Sequence, residues 1–259
     1  MRDAEWVDST AVSSSEQTSA DAVDPITVVI PARAGSERVP QKNTKPFAEI
    51  PGGLLQLKLQ QLALVEEIDK IIVSSNDPLV LSVTEDFAKT TGGSRFIPLE
   101  RPDELGRSST PMSQFINYVA TLENHGTMCM THVTHPLLRA EYFRELIRAW
   151  REAASAGHDS LLTVTKLQTF LWDENGPYNY DPSQERWPRS QDIKPLYEIN
   201  HGAYFIPFQR MREVGDRVGT TPKMYELPEN AVLDIDWPEQ FQLLEDMALA
   251  RSHRGVSLL

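Results

Sequence analysis

Short apolar runs alternate along the chain with longer segments of mixed hydrophobic and polar residues. Residues 26–30 form an almost wholly apolar, β-branched run. Such a run predicts a strand that is buried on both faces of a parallel sheet. Further strands are predicted at 70–75, 96–99, 128–133 and 160–164.

The segments between these strands carry the periodicity of helices. Between 142 and 156, Phe143, Leu146 and Trp150 fall on one apolar face, and Gly157 follows as a stop signal. Alternating strands and helices predict a three-layer α/β fold whose mainly parallel sheet carries helices on both faces. The other predicted helices are 53–68, 78–89, 110–122 and one that ends near 251.

Two parts of the chain depart from this alternation. Residues 1–24 are rich in Ser, Thr, Ala and acidic residues and lack the apolar stretch of a secretory signal, so we expect a disordered tail. One domain is then expected over residues 25–259. Residues 166–200, here called the excursion, are rich in Pro, Asn, Asp and Trp. A long irregular segment of this kind is typical of a functional loop or a partner contact.

Composition limits the classes of function. The chain has 37 Asp and Glu against 25 Lys and Arg, which argues against a nucleic-acid surface because phosphate backbones are bound by clustered cations. Cys129 is the single cysteine, so a disulfide within the chain is excluded and a reducing cytoplasm is expected. Because an apolar run of about 20 residues is missing, we also predict no membrane span.

The loop after the first strand concentrates the candidate chemistry and reads IPARAGSERVPQKN over residues 30–43. Gly35 and Ser36 allow backbone amides to turn toward phosphate oxygens. Open α/β sheets bind ligands beyond the carboxyl ends of their strands, so the loop predicts a phosphorylated ligand such as a nucleoside triphosphate. The alternative is an ordinary loop with solvated charges, and the spacing is not that of a Walker motif. Its basic side chains are Arg33, Arg38 and Lys42.

Asp234 and Asp236 form a second candidate centre. Two residues apart on an extended segment, their carboxylates point the same way and could share a hard cation such as Mg²⁺. The structural alternative is that Asp236 caps a helix, with Glu239 three residues later.

The loop resembles the signature loop of the CMP-sialic acid synthetase type of cytidylyltransferase. Three later segments resemble that family in the same order: RPDEL at 101–105, PRSQ at 188–191 followed by GAY at 202–204, and DID at 234–236. The resemblance implies a Rossmann-like nucleotidyltransferase fold. It also implies transfer of CMP from CTP to an acidic acceptor, a sialic-acid-like 2-keto sugar acid, with Mg²⁺ as cofactor and release of pyrophosphate.

Matching positions receive roles from this resemblance. It implies that the excursion lies near the acceptor pocket and the contact of a homodimer. Catalytic roles fall on Arg33, Lys42, Asp234 and Asp236, of which the two aspartates hold the metal. Nucleotide contacts fall on Arg33, Gly35, Ser36, Lys42, Asn43, Arg101 and Thr110. Acceptor contacts fall on His132, Thr134, Arg189, Asn200 and Tyr204.

The acceptor half departs from the family pattern. His132 replaces a Gln that faces the acceptor sugar, Ser108 stands where Asp is usual, and His201 interrupts the usual Asn-Gly pair. These departures keep a small phosphonate open as the acceptor. A catalytically silent nucleotide-binding protein, and an enzyme that adds UTP or GTP to a sugar 1-phosphate, are the remaining hypotheses.

Overall fold

A seven-stranded sheet forms the centre of the computed structural model, which describes residues 24–259. Its strand order is β3-β2-β1-β4-β8-β5-β9, and a small hairpin, β6-β7, lies outside it. The strands are β1 (Ile26–Pro31), β2 (Lys70–Ser75), β3 (Phe96–Glu100), β4 (Thr127–Met130), β5 (Ser160–Leu167), β6 (Trp172–Asp173), β7 (Gly176–Pro177), β8 (Leu196–Pro207) and β9 (Pro222–Glu226).

The sheet is mainly parallel, as predicted. Strands β1 to β4 pair in parallel, β8 runs antiparallel between β4 and β5, and β9 pairs in parallel with β5. Val28 and Ile30 point into one hydrophobic cluster, whereas Val29 points into a second cluster on the opposite face. A strand buried on both faces explains why its sequence is continuously apolar rather than alternating.

Helices cover both faces of the sheet. The predicted helix 53–68 ends at residue 63. The predicted helix 110–122 begins at Met112, after Pro111 in an extended conformation, and ends at Val119. The helices are α1 (Gly53–Ala63), α2 (Pro78–Thr91), α3 (Asp103–Gly106), α4 (Met112–Val119), α5 (Ala140–Ser155), α6 (Phe208–Val214) and α7 (Pro238–His253).

The excursion is more ordered than its composition predicts. Strand β5 continues to Leu167 and β8 already begins at Leu196, so the irregular part narrows to 168–195. The buried side chain of Asn179 ties this part together, because its amide donates to the carbonyl oxygens of Thr169 (2.9 Å) and Lys194 (3.1 Å).

The predicted tail lies outside the described residues except for Asp24. That residue accepts a hydrogen bond from the Thr127 hydroxyl at 2.7 Å. Among the helices within residues 24–259, none is long and apolar enough to cross a membrane.

Candidate active site

Three cavities meet beyond the carboxyl ends of β1 and β4, where an open α/β sheet is expected to bind ligands. The loop cavity, about 280 Å³, is lined chiefly by residues 31–43. The arginine cavity, also about 280 Å³, shares Arg33, Ser108 and His132 with it. The acidic cavity, about 600 Å³, lies between β8 and the start of α7 and shares Asp236 with the loop cavity.

The loop cavity contains most of the predicted nucleotide contacts. Gly35 adopts φ +76°, a left-handed conformation that suits glycine and turns the loop. Two hydrogen bonds fix the loop: Ala34 N donates to Asn76 Oδ1 at 3.0 Å, and Asn43 Nδ2 donates to the Arg33 carbonyl at 3.3 Å. Asn43 therefore helps to shape the loop as well as lining its cavity. The other predicted site residues on its wall are Arg33, Ser36, Lys42, His132, Thr134 and Asp236.

Asp236 stands at the junction of the loop and acidic cavities. Its Oδ1 lies 3.4 Å from both Lys42 Nζ and Arg38 Nη2, and Lys42 Nζ also donates to the Ile235 carbonyl at 2.6 Å. The capping alternative is not observed. Trp237 is the N-cap of α7, and the Gln240 side chain accepts from the backbone of Asp236 and Trp237 instead. The Asp236 carboxylate consequently faces the cations of the loop.

Asp234 lies with Asp236 on the wall of the acidic cavity. Its Oδ1 is buried and has no hydrogen-bond partner among residues 24–259. An unpaired buried carboxylate oxygen beside a second carboxylate fits a hard divalent cation. The described residues contain no cluster of three or more acidic, His or Cys side chains arranged for a metal. Two carboxylates completed by substrate phosphates nevertheless suit Mg²⁺.

The arginine cavity is lined by Arg33, Arg101, Arg107 and Arg217, and its described lining includes no Asp or Glu. Arg101 is 4% exposed, and its guanidinium donates to the Ser74 carbonyl at 2.6 Å. Burial lowers the pKa of Arg101 to about 10, so the side chain remains charged at neutral pH.

Of two further residues in the arginine cavity, Thr110 was predicted from the sequence and Arg217 was not. The predicted Thr110 lies on its wall, with its hydroxyl bonded to the Glu104 carbonyl. Arg217 was missed, because it lies in an unremarkable polar turn after α6 and only folding brings it to β4.

His132 and Thr134 lie on the segment that follows β4, which ends at Met130 rather than at the predicted residue 133. Desolvation, followed by the charges of His135 and Arg217, lowers the pKa of His132 to about 3, so its imidazole is neutral at pH 7. Neutral imidazole can accept a proton or a hydrogen bond.

The β5–β8 pairing is irregular beside the acidic cavity, where its register shifts between Leu162 and Val164. Asn200, a predicted acceptor contact, lines this cavity, but its amide is already engaged with the Thr163 and Thr165 hydroxyls at 2.7 and 3.1 Å. It therefore stabilises the wall through both ends of its amide.

Tyr204 corrects the prediction for the acceptor side. Its side chain is 2% exposed and lines none of the three cavities, because strand β8 directs it into the core. His201 lines the acidic cavity instead, at φ +57°, with Nδ1 2.6 Å from the Tyr204 hydroxyl oxygen. Tyr204 supports the residue that faces the cavity.

Arg189 is not brought to the cavities of a single chain. It lies in the excursion, exposed, with Nε 2.8 Å from Asp192 Oδ2. Its contact with the acceptor stays a prediction.

A basic glycine-bearing loop and a carboxylate pair at the carboxyl edge of a mainly parallel sheet define a nucleotide-binding α/β protein. Residues 27–254 match the cytidylyltransferase family, and the chain belongs to that family.

Relatives agree with this assignment. The chain is 28% identical over 225 residues to N-acylneuraminate cytidylyltransferase of Oncorhynchus mykiss, covering 82% of this chain and 49% of the relative. It is 24% identical over 219 residues to pseudaminic acid cytidylyltransferase of Campylobacter jejuni, covering 80% and 89% of the two chains. The chain thus spans about half the length of the vertebrate relatives that it matches.

Solved structures support the fold. CMP:2-keto-3-deoxy-manno-octonic acid synthetase, complexed with CTP, superimposes with a TM-score of 0.61 at 13% identity and covers 88% of this chain and 99% of the other. The 4-diphosphocytidyl-2C-methyl-D-erythritol synthase of Anaerococcus prevotii gives a TM-score of 0.57 at 16% identity, with coverages of 86% and 96%. The predicted nucleotidyltransferase fold is confirmed.

Proposed function

We propose that this protein transfers CMP from CTP to an acidic 2-keto sugar acid related to sialic acid and releases pyrophosphate. The observation that carries the proposal is the position of Asp236, where the basic loop cavity meets the acidic cavity. An acceptor bound in the acidic cavity would extend its attacking oxygen past Asp236 into the loop cavity, toward the α-phosphorus of the nucleotide. The relatives named for N-acylneuraminate and pseudaminic acid support an acceptor of this class.

The residues of the loop cavity would act by position and charge. Arg33, Ser36 and Lys42 would hold the triphosphate, while the arginine cavity would receive the nucleoside. Phosphoryl transfer is catalysed mainly by orienting the reactants and stabilising phosphate charge, and these residues would provide both.

Asp234 and Asp236 would hold Mg²⁺, which supplies neutralisation of phosphate charge when bound. The acceptor oxygen forms a bond to the α-phosphorus as the bond to pyrophosphate breaks. The proton of the acceptor hydroxyl passes to solvent. We propose that His132, at the boundary of the loop and arginine cavities, orients that hydroxyl by accepting its hydrogen bond, since a pKa of about 3 makes the imidazole a weak base.

In a single chain, the negative charge of the acidic cavity would repel an acidic acceptor. Four carboxylates line it, and its described lining contains no Lys or Arg. We propose that a homodimer supplies the missing cation, with Arg189 of the partner subunit reaching the acceptor. Large aromatic side chains on the excursion support this contact, since Trp172, Tyr178 and Trp187 are 59%, 66% and 62% exposed.

The test is pyrophosphate release with CTP and Mg²⁺ in the presence of sialic, pseudaminic, legionaminic or octulosonic acid, or of small phosphonates. We expect release with one of the sugar acids. Asp234→Asn and Asp236→Asn should each lower kcat by about 100-fold or more. Asp246→Asn, the same change on an exposed position of α7, should be neutral.

The same assay distinguishes the alternative functions. Release with phosphonates only would replace the sugar acid by a phosphonate. CTP binding without release across the panel would indicate a silent nucleotide-binding protein, and preference for UTP or GTP would indicate a sugar 1-phosphate enzyme. Near-normal turnover of both asparagine variants in Mg²⁺ would refute the metal assignment.

A further inference from the structure

We infer that Arg217 contacts the α-phosphate of the bound nucleotide, at the boundary between the arginine cavity and the loop cavity. This inference rests on the proposed function and assigns a ligand group to a residue outside the loop that carries the other phosphate contacts.

The Arg217 side chain is held in place, and among residues 24–259 its guanidinium forms no ion pair, because the neighbouring Asp216 carboxylate accepts instead from the Arg217 backbone amide at 2.6 Å. Its guanidinium carbon lies 4.1 Å from the centre of the Tyr204 ring, and Nη1 lies 3.5 Å from the Met130 sulfur. Within the described part of the chain these contacts are an aromatic face and a thioether, and neither is an anion. Stacking on an aromatic ring fixes the guanidinium plane while leaving its edge able to bind.

Tyr204 is itself immobilised, which makes it a firm support. Its ring is 2% exposed, and its hydroxyl is paired with His201 Nδ1 at 2.6 Å. The Arg217 guanidinium therefore stacks on a ring that is fixed by burial in the core and by the hydrogen bond at its hydroxyl group.

The charge of the arginine cavity exceeds what a nucleoside requires. Four arginines line it, whereas cytidine carries no charge at neutral pH. Arg101 is committed to the wall by its bonds to Ser74 and by the Phe115 ring, 4.1 Å from its guanidinium carbon. The remaining positive charge calls for an anion, and a guanidinium pairs well with phosphate oxygens.

The position of Arg217 in the site favours a contact with the α-phosphate over one with the terminal phosphates. Arg217 lines the arginine cavity beside the boundary, since it contacts Met130 and its charge acts on His132, which lines both cavities. Ser36 and Lys42, by contrast, line the loop cavity and not the arginine cavity. A nucleotide that places its base among the arginines and its terminal phosphates on the loop crosses between the cavities at its α-phosphate. Arg33 and His132, which line both cavities, mark that crossing.

The test is calorimetric binding of cytidine, CMP and CTP to the wild type, Arg217→Met and Arg217→Lys. We expect Arg217→Met to weaken CMP and CTP by about 10-fold to 100-fold and cytidine by less than about 2-fold. Arg217→Lys should recover part of the loss, because it restores charge without the planar stack. Arg151→Met, which removes the same charge from an exposed position of α5, should bind all three ligands normally.

Equal weakening of cytidine and CMP would overturn the inference in favour of a base contact. A loss confined to CTP would also overturn it, because the contact would then be with the terminal phosphates. Unchanged binding by a folded variant, checked by its melting temperature, would remove Arg217 from the site and leave the proposed function standing. If the wild type binds neither CMP nor CTP, the proposed function itself fails.

Discussion

Lys58 Nζ lies 3.1 Å from the carbonyl oxygen of His135 in the core of the protein and donates a hydrogen bond to it. The same nitrogen donates to the Leu138 carbonyl at 2.9 Å and lies 5.1 Å from the centre of the Phe143 ring. Lys58 is 0% exposed, a position that lysine tolerates only when its ammonium group has partners. Helix α1 thereby holds the segment that carries His132 and Thr134 into the site.

Replacement of this lysine should be costly. Lys58→Met keeps the apolar stem but takes the ammonium donor from the buried Leu138 carbonyl and one of two donors from the His135 carbonyl, which keeps the Leu138 amide at 3.2 Å. We therefore expect the free energy of unfolding to fall by about 1–3 kcal/mol. Urea denaturation measures the change. Lys89→Met, on the exposed surface of α2, is the control and should cost less than about 0.5 kcal/mol. Equal stability of the two variants would show that the buried bonds contribute little.

The buried Lys58 side chain should also make the stability of the protein depend on pH. Burial lowers the pKa of Lys58 from its ordinary value of 10.5 to about 7. Between these values the unfolded chain holds a proton that the folded chain does not, so the lysine's contribution to stability rises with pH. The stability gap between wild type and Lys58→Met should therefore widen from pH 6.5 to 9.5. A constant or shrinking gap would contradict the lowered pKa.

Gly53 should resist substitution because of its surroundings. At φ +62° it starts α1, and an added Cβ would lie 2.1 Å from the Lys45 carbonyl oxygen. Gly92 provides a matched control, since its φ is +64° and an added Cβ would meet nothing within 4 Å. We expect Gly92→Ala to cost about 1–2 kcal/mol through backbone strain alone, and Gly53→Ala to cost clearly more. Denaturation midpoints that coincide would show that the helix start relaxes freely.

Asp159 should stabilise the turn before β9 in a pH-dependent way. Burial alone would raise its pKa, but hydrogen bonds from the Thr220 and Thr221 amides and from Arg210 hold that pKa well below its usual range. Asp159→Asn should cost about 1–2 kcal/mol at pH 7. Because the stabilisation needs the ionised form, the gap to wild type should shrink as the pH falls from 5 to 2. A gap that does not change with pH would show that the charge is unimportant.

Arg189 tests the proposed dimer. Arg189→Ala should leave stability and the KM for CTP unchanged, because the side chain is 73% exposed and its one ion pair among residues 24–259 is with Asp192. If the partner subunit uses it, the KM for the acceptor should rise about tenfold or more. Asp192→Asn removes the ion pair and keeps the guanidinium, so it should retain a near-normal acceptor KM. An unchanged acceptor KM in Arg189→Ala would reduce Arg189 to a surface ion pair.

Local sequence patterns were sufficient for the centre of the fold. The β-branched run of β1 and the amphipathic face of α5 each predict their element, because strand burial and helix periodicity leave a signal within a few residues. The ends of elements were less predictable. Strand β4 stops at Met130, where the apolar run ends and the chain turns into the site, whereas the prediction extended the strand through Thr131 and His132 to Val133.

The basic, glycine-bearing character of residues 30–43 and, through ordered resemblance, the family are already evident from the sequence. Those features are local, since a glycine turn and its neighbouring cations act over a few residues. Three other features emerge only from the folded chain: Lys58 supports a segment 77 residues away, Tyr204 is buried while His201 faces the acidic cavity, and Arg217 lies in the arginine cavity. Contacts between distant residues depend on how strands and helices pack, and a periodic pattern records which face is buried without recording what it meets.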